Sequence, residues 1–252
     1  MSKLMVDVLV TGASSGIGAA AAVLFAERGA CVALVGRNHT KLAAVAHQCE
    51  QHGTYPLTII AYVADDQQAN TIVQQTVDKF GQLDVLINNV GIAIPDPLLG
   101  RDMLRIYDAV MRTNFRAAIH LTTLAAPHLI KSKGNIINNS SASAVPVPKV
   151  LPFTSYAISK AALDHFTRCD ALELAPAVRV NSVSPGPVNT DWIENAGLSN
   201  DSDIWDKMRE STILNKVAEA EEIAELMLFL ASEKAKSITG SIYVCDNGFL
   251  LK

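Results

Sequence analysis

The residues best suited to chemistry are a tyrosine and a lysine four apart, in Tyr156-Ala157-Ile158-Ser159-Lys160. On a helix this spacing puts both side chains on one face, one turn from each other. A free phenol has a pKa of about 10, so at neutral pH a tyrosine is a poor proton shuttle unless a neighbouring cation favours its anion. Lys160 can supply that cation. The pair reads as a proton-transfer device for an oxygen that gains or loses a proton. Upstream, the run Gly134-Asn135-Ile136-Ile137-Asn138-Asn139 ends in Ser140-Ser141, and Ser143 follows.

A second constellation suits anion binding. Thr11-Gly12-Ala13-Ser14-Ser15-Gly16-Ile17-Gly18 stands directly after an apolar run and before an alanine-rich helical stretch. Glycines permit a sharp turn and let a ligand touch bare main chain. The helix start adds unpaired N–H groups and a partial positive charge, which suit a pyrophosphate.

These residues need a scaffold. Short β-branched runs at 7–10, 31–35, 58–63, 85–88, 135–138, 179–183 and 241–244 alternate with helical patterns near 17–28, 40–52, 67–80, 102–131, 155–174 and 219–231. That alternation predicts an α/β fold, a Rossmann-like doubly wound parallel sheet of seven strands with helices on both faces. Most of the strands are apolar on both faces, as a covered sheet requires. The 252 residues read as a single dinucleotide-binding domain, 49% hydrophobic and 18% charged, with no linker or repeat. Two irregular segments, 144–153 and 190–212, have the length of lids or binding walls, and 190–212 is read as a substrate loop. A net charge of −4 without basic blocks argues against nucleic acid. No apolar stretch reaches the roughly 18 residues that span a bilayer. Cys31, Cys49, Cys169 and Cys245 form no CxxC pair, and the six histidines are dispersed, so neither a disulfide framework nor a metal site is expected. The chain reads as cytoplasmic.

The spacing Thr-Gly-x-x-x-Gly-x-Gly resembles the cofactor turn of the short-chain dehydrogenases/reductases. Four further segments extend the resemblance over nearly the whole chain: Asn88-Asn89-Val90-Gly91, Ser140-Ser141, Tyr156 to Lys160, and Asn181-Ser182-Val183-Ser184-Pro185-Gly186. The resemblance implies a nicotinamide cofactor held by Gly12, Ser14, Ser15, Gly16, Ile17, Gly18, Arg37, Asn38, Val63, Asn89, Gly91, Tyr156, Lys160, Pro185, Gly186, Val188 and Thr190. It implies Tyr156 as proton donor to a carbonyl oxygen and Lys160 as its partner, which also bonds the nicotinamide ribose. Ser141 would orient the substrate oxygen, Ser143 being the alternative on spacing. Asn114 would interrupt a long helix and hold a water that links the lysine to solvent. Relatives form homodimers or homotetramers through the helices that here carry Asn114 and Tyr156.

The second strand ends Leu34-Val35-Gly36-Arg37-Asn38, with an arginine and no acid. An acid there binds the ribose hydroxyls of NAD, whereas a guanidinium fork suits the extra phosphate of NADP. NADP(H) is favoured and NAD(H) is the alternative. Tyr62 stands where the family has an adenine-contacting Asp; either Asp65 compensates or Tyr62 packs on the adenine edge. Ile92, Ile94, Val145, Val147, Val150, Leu151, Phe153, Trp192, Ile193, Leu198, Ile204 and Trp205 promise an apolar wall. Such a wall suits a hydrophobic ketone or aldehyde such as a steroid, retinoid, terpenoid or β-ketoacyl compound. The competing readings are an NAD-dependent alcohol or hydroxysteroid dehydrogenase and a dinucleotide-binding regulatory protein without turnover.

Overall fold

Val8, Leu9 and Val10 are all wholly buried, although successive strand residues point to opposite faces of a sheet. Such a strand belongs in the middle of a sheet covered on both sides, and the computed structural model places it there. The structure describes residues 6–146, 152–198 and 202–252. The first half runs β1 (Asp7–Thr11), α1 (Gly16–Glu27), β2 (Cys31–Gly36), α2 (His39–Glu50), β3 (Leu57–Ile60), α3 (Asp66–Phe80), β4 (Val85–Asn88) and α4 (Met103–Met111). It continues with α5 (Ala117–Ser132), β5 (Asn135–Asn139), α6 (Thr154–Glu173), β6 (Arg179–Pro185), β7 (Val188–Asn189), α7 (Trp192–Asn195) and α8 (Ser202–Glu210). The chain closes with β8 (Ala218–Glu219), α9 (Ala220–Ala231) and β9 (Ile242–Cys245).

Seven strands form one parallel sheet in the order β3-β2-β1-β4-β5-β6-β9, and β7 pairs with β8 apart from it. This is the Rossmann-like doubly wound domain that the alternation predicts. The strand order reverses at β1, which pairs with β2 on one side and β4 on the other. A crevice therefore opens at the carboxyl ends of β1 and β4, where ligands bind in such sheets.

Alternation along the strands divides the core into two layers. Val8, Val10, Val32, Leu34, Val85 and Ile87 pack with Phe25 of α1, Leu42 of α2 and Ile223, Met227 and Leu230 of α9. Their strand neighbours Leu9, Ala33, Val35 and Leu86 pack with Ile72 of α3, Leu121 and Leu129 of α5 and Ala171 of α6. A polar seam interrupts the second layer beneath the crevice. Asn88 Nδ2 donates to Asn138 Oδ1 at 2.9 Å and to Thr122 Oγ1 at 3.2 Å, and Asn138 Nδ2 donates to Thr167 Oγ1 at 2.9 Å. The bonds tie β4 to β5, α5 and α6, so the site elements share one register.

The structure departs from the sequence expectation in three places. The helix expected over 102–131 is α4 and α5 joined by a π-helical turn, Arg112–Arg116, as the implied interruption at Asn114 requires. Such turns are frequent at functional sites. The strand expected over 58–63 stops at Ile60, because Tyr62 N–H donates to Gln68 Oε1 of α3 instead of continuing the ladder. The irregular segment 190–212 contains α7 and α8, each with helix-forming residues behind an acidic or hydroxyl start.

Asp170, on the buried face of α6, is 7% exposed, and its Oδ2 meets no donor among the described residues. Burial, reinforced by the nearby Glu173 charge, raises its pKa to about 7. A carboxyl raised in the folded state contributes stability that is complete below its unfolded pKa and is lost as pH rises through about 7. Asp170→Asn is therefore expected to raise the calorimetric midpoint by roughly 2–6 °C at about pH 8 and to change it little at about pH 4.

Candidate active site

The turn between β1 and α1 is held from behind by Thr11 and Asn89. Thr11 Oγ1 donates to the Ile87 carbonyl at 3.1 Å and accepts from Asn89 N–H at 2.9 Å. Asn89 Nδ2 donates back to the Thr11 and Gly12 carbonyls at 2.9 and 3.3 Å. The main chain is so close here that a Cβ on Gly18 would lie 2.3 Å from the Gly12 carbonyl oxygen and 2.4 Å from Asn89 Nδ2. Only glycine fits. Ser15 caps α1 with extended backbone, and its side chain makes no cap hydrogen bond to the first turn. Bare main chain and uncapped helix donors are what a pyrophosphate needs, so Gly12 to Gly18 fit the phosphates of a dinucleotide.

Residues at the rim frame the rest of that cleft. Ser14 sits against Gly36, and Thr190 against Gly16. Arg37 lays its guanidinium over the Tyr62 ring, 5.2 Å from the centroid. Asn38 is occupied as the cap of α2, accepting from Lys41 N–H at 3.0 Å. Val63 is buried, and with Asn114 it lines a cavity of about 10 Å³, the size of one water. Gly186 packs on Asp246, between buried Pro185 and β7, which carries Val188. Across the mouth, Lys41 Nζ meets Asp191 Oδ2 at 2.5 Å.

Tyr156 and Lys160 share the inner face of α6, as their spacing requires, with the ammonium 5.7 Å from the Tyr156 ring centroid. Lys160 is 3% exposed and donates to the Asn139 carbonyl at 2.7 Å. Gly91 passes so close that an added Cβ would lie 3.2 Å from Nζ. Desolvation lowers the Lys160 pKa to about 8 against the opposing pull of the Asp164 carboxylate. Asp164 is itself pushed up by burial and accepts from Ser182 Oγ at 3.1 Å.

The Tyr156 hydroxyl shares a hydrogen bond with Ser141, not Ser143; burial raises the phenol pKa and the Ser141 bond opposes it. The sequence reading expects Lys160 to favour the phenolate. In the structure burial is the larger influence on the phenol and favours its neutral form. Ser143 is turned back, its N–H donating to Ser141 Oγ at 3.1 Å.

Asn114 has its whole amide engaged. Its Oδ1 accepts from Ile92 N–H at 2.8 Å, and its Nδ2 donates to the Ile92 carbonyl at 2.9 Å and to Ser159 Oγ at 3.0 Å. It clamps the segment that follows β4 onto the Tyr156 helix.

An apolar cluster of Ala93, Phe153, Trp192, Ala196 and Leu198 stands beside Tyr156. Trp192 meets Tyr156 and Phe153 edge to face at centroid distances of 6.0 and 5.6 Å. Not every expected wall residue joins it. Ile193 packs inward, Val145 is exposed, and Ile204 and Trp205 lie half-buried on α8 outside the cluster. Val147, Val150 and Leu151 lie outside the described residues.

Asp96 is a site residue that sequence reasoning misses. It is wholly buried, and its carboxylate accepts from Thr154 N–H at 2.8 Å and from Ser155 N–H at 2.7 Å, and also from the Ser155 hydroxyl. Phe153, the residue at the cap position of α6, has no side-chain acceptor to offer, so the cap comes from 58 residues away. Nothing local in Ile94-Pro95-Asp96-Pro97 signals it. Asp96→Ala is expected to cost about 2–4 kcal/mol in urea unfolding, and Asp96→Asn less, because one acceptor oxygen remains.

Comparison with known proteins places the architecture. A family profile described as enoyl-(acyl carrier protein) reductase matches residues 12–250. The chain is 34% identical over 249 residues to the 3-oxoacyl-(acyl-carrier-protein) reductase FabG of Thermotoga maritima, covering 96% of this chain and 97% of that one. A short-chain dehydrogenase/reductase of unknown function from Caenorhabditis elegans, solved with cofactor, superposes with a TM-score of 0.91 at 36% identity over 97% of this chain and 94% of that one. A short-chain dehydrogenase from Burkholderia cenocepacia in complex with NADP gives a TM-score of 0.89 at 33% identity over 99% of this chain and all (100%) of that one. Likeness of this extent shows that the chain belongs to the short-chain dehydrogenase/reductase family of NAD(P)-dependent oxidoreductases.

Proposed function

We propose that this chain reduces the carbonyl of a hydrophobic ketone or aldehyde with NADP(H), Tyr156 giving the proton. The observation that carries the reading is the convergence, at one end of the crevice, of a phenol held protonated, a serine hydroxyl bonded to it and a buried ammonium. The cofactor is held by the turn Gly12 to Gly18, by Arg37, Asn89, Gly91 and Lys160, and by Pro185, Gly186, Val188 and Thr190. When bound there, it supplies the hydride.

The substrate oxygen lies between Ser141 and Tyr156. Ser141 donates to it and polarises the carbonyl; Tyr156 transfers its proton as negative charge develops on that oxygen. The phenolate left behind is stabilised by Lys160, which keeps its charge below about pH 8. Asn114 fixes Ile92 against α6 and so sets the gap into which the carbonyl fits. Trp192, Phe153 and Leu198 exclude water and favour an apolar substrate. The segment 190–212 forms the substrate loop of a single domain spanning residues 1–252.

Arg37 supports NADP(H) over NAD(H), since no carboxylate pairs with it among the described residues. The NADP complex of the Burkholderia cenocepacia relative supports the same choice. Family precedent supports a cytoplasmic homodimer or homotetramer built through α5 and α6.

Two experiments test the mechanism. Tyr156→Phe is expected to lower kcat/KM on an apolar ketone panel by about 10²–10⁴-fold while NADPH still binds; retained turnover rejects the proton donor. For the parent enzyme, kcat/KM for reduction is expected to be level below about pH 8 and to fall above it as Lys160 loses its proton. A profile that rises through that range contradicts the role of the ammonium.

A further inference from the structure

Arg37 and Tyr62 come from the ends of neighbouring strands, β2 and β3, whose backbones stay joined past the strand by the bond from Ala61 N–H to the Gly36 carbonyl at 3.1 Å. The guanidinium lies 5.2 Å from the Tyr62 ring centroid, inside the range of about 6 Å at which a ring face attracts a cation. The ring itself is fixed at two points. Its hydroxyl lies 3.4 Å from Oγ1 of buried Thr113, and its backbone N–H donates to Gln68 Oε1 at 2.9 Å. With the hydroxyl directed at Thr113, what Tyr62 offers the cleft is its face. Asp65, the other acid close by, is engaged as the cap of α3, accepting from Gln68 N–H at 3.0 Å.

An arginine at a strand end would ordinarily sample many rotamers, and binding an anion would cost that freedom. Here no carboxylate holds Arg37 among the described residues, and an anchored ring does. The guanidinium makes no hydrogen bond or ion pair among the described residues, and Arg37 directly follows Gly36, against which Ser14 sits.

We propose that Tyr62 is a cofactor-specificity residue, a platform that pre-orders the Arg37 guanidinium for the phosphate that distinguishes NADP(H) from NAD(H). The proposal rests on the reading of Arg37 as the ligand of that phosphate. It assigns Tyr62 to selectivity between the two cofactors and not to dinucleotide binding in general.

The test needs no substrate. Dissociation constants for NADPH and NADH are measured from cofactor fluorescence on the parent chain and on Tyr62→Ala, Tyr62→Phe, Tyr62→Asp and Arg37→Ala. Tyr62→Ala is expected to weaken NADPH by about two- to fivefold, the worth of one exposed cation–π contact, and to leave NADH within about twofold. Tyr62→Phe keeps the face and is expected to keep most of the preference. Tyr62→Asp sets a carboxylate against Arg37 and is expected to reduce the preference further than Tyr62→Ala. NADH binding reports that each variant is folded. Equal weakening of both cofactors, or an unchanged NADPH-to-NADH ratio in Tyr62→Ala, overturns the proposal. The Arg37→Ala arm separates the two levels. If it leaves the ratio unchanged, the phosphate-ligand reading fails and the platform with it; if it abolishes the preference while Tyr62→Ala leaves the ratio unchanged, the platform alone fails.

Discussion

An ammonium stripped of water at the carboxyl end of a parallel sheet is the constraint on which the remaining architecture depends. Lys160 is almost wholly buried, and burial makes its charged form costly. Three neighbours make the placement tolerable: the Asn139 carbonyl, which accepts from it, Asp164 one turn further along α6, which opposes the shift, and Gly91, which leaves room for the nitrogen. Each comes from an element whose position the sheet fixes. The phenol beside it is pushed up by the same dryness, so a single environment shifts both members of the pair towards their neutral forms.

That environment exists only if α6 is held still relative to the strand ends. Asp96 supplies acceptors to the first turn of α6, Asn114 locks Ile92 to Ser159, and the Asn88–Asn138–Thr167 seam grips the middle of the helix from below. These are buried polar contacts in a core that is otherwise apolar. Each ties α6 to a different neighbour, and within the seam only Asn88 Oδ1 has no partner among the described residues.

What the amino-acid sequence reveals here is what repeats along the chain or sits within a few residues. Alternating apolar runs determine strand against helix, and the doubly wound sheet follows from their order. The turn at Gly12 to Gly18 and the Tyr156–Lys160 spacing are local, so both are legible and the structure brings them to one crevice. Asp96 and the Tyr62 face are different. Their partners lie 58 residues away in one case and on an adjacent strand in the other, and no periodicity connects them. The apolar wall was only partly legible for the same reason. Apolar character marks Ile193 and Trp192 alike, but the turn of a four-residue helix sends one into the core and the other beside Tyr156. Charge spacing is visible in a sequence, whereas the burial that raises the phenol pKa is not.

Tyr156 and Lys160 stand on a long helix and Ser141 just past a strand end, whereas Phe153 and Leu198 stand on connections between elements and Trp192 on the short α7. Mutational drift in those connections can therefore reshape which molecule is admitted without disturbing the register of the reacting groups. A scaffold divided in this way lets one reaction be inherited intact while its clientele diversifies.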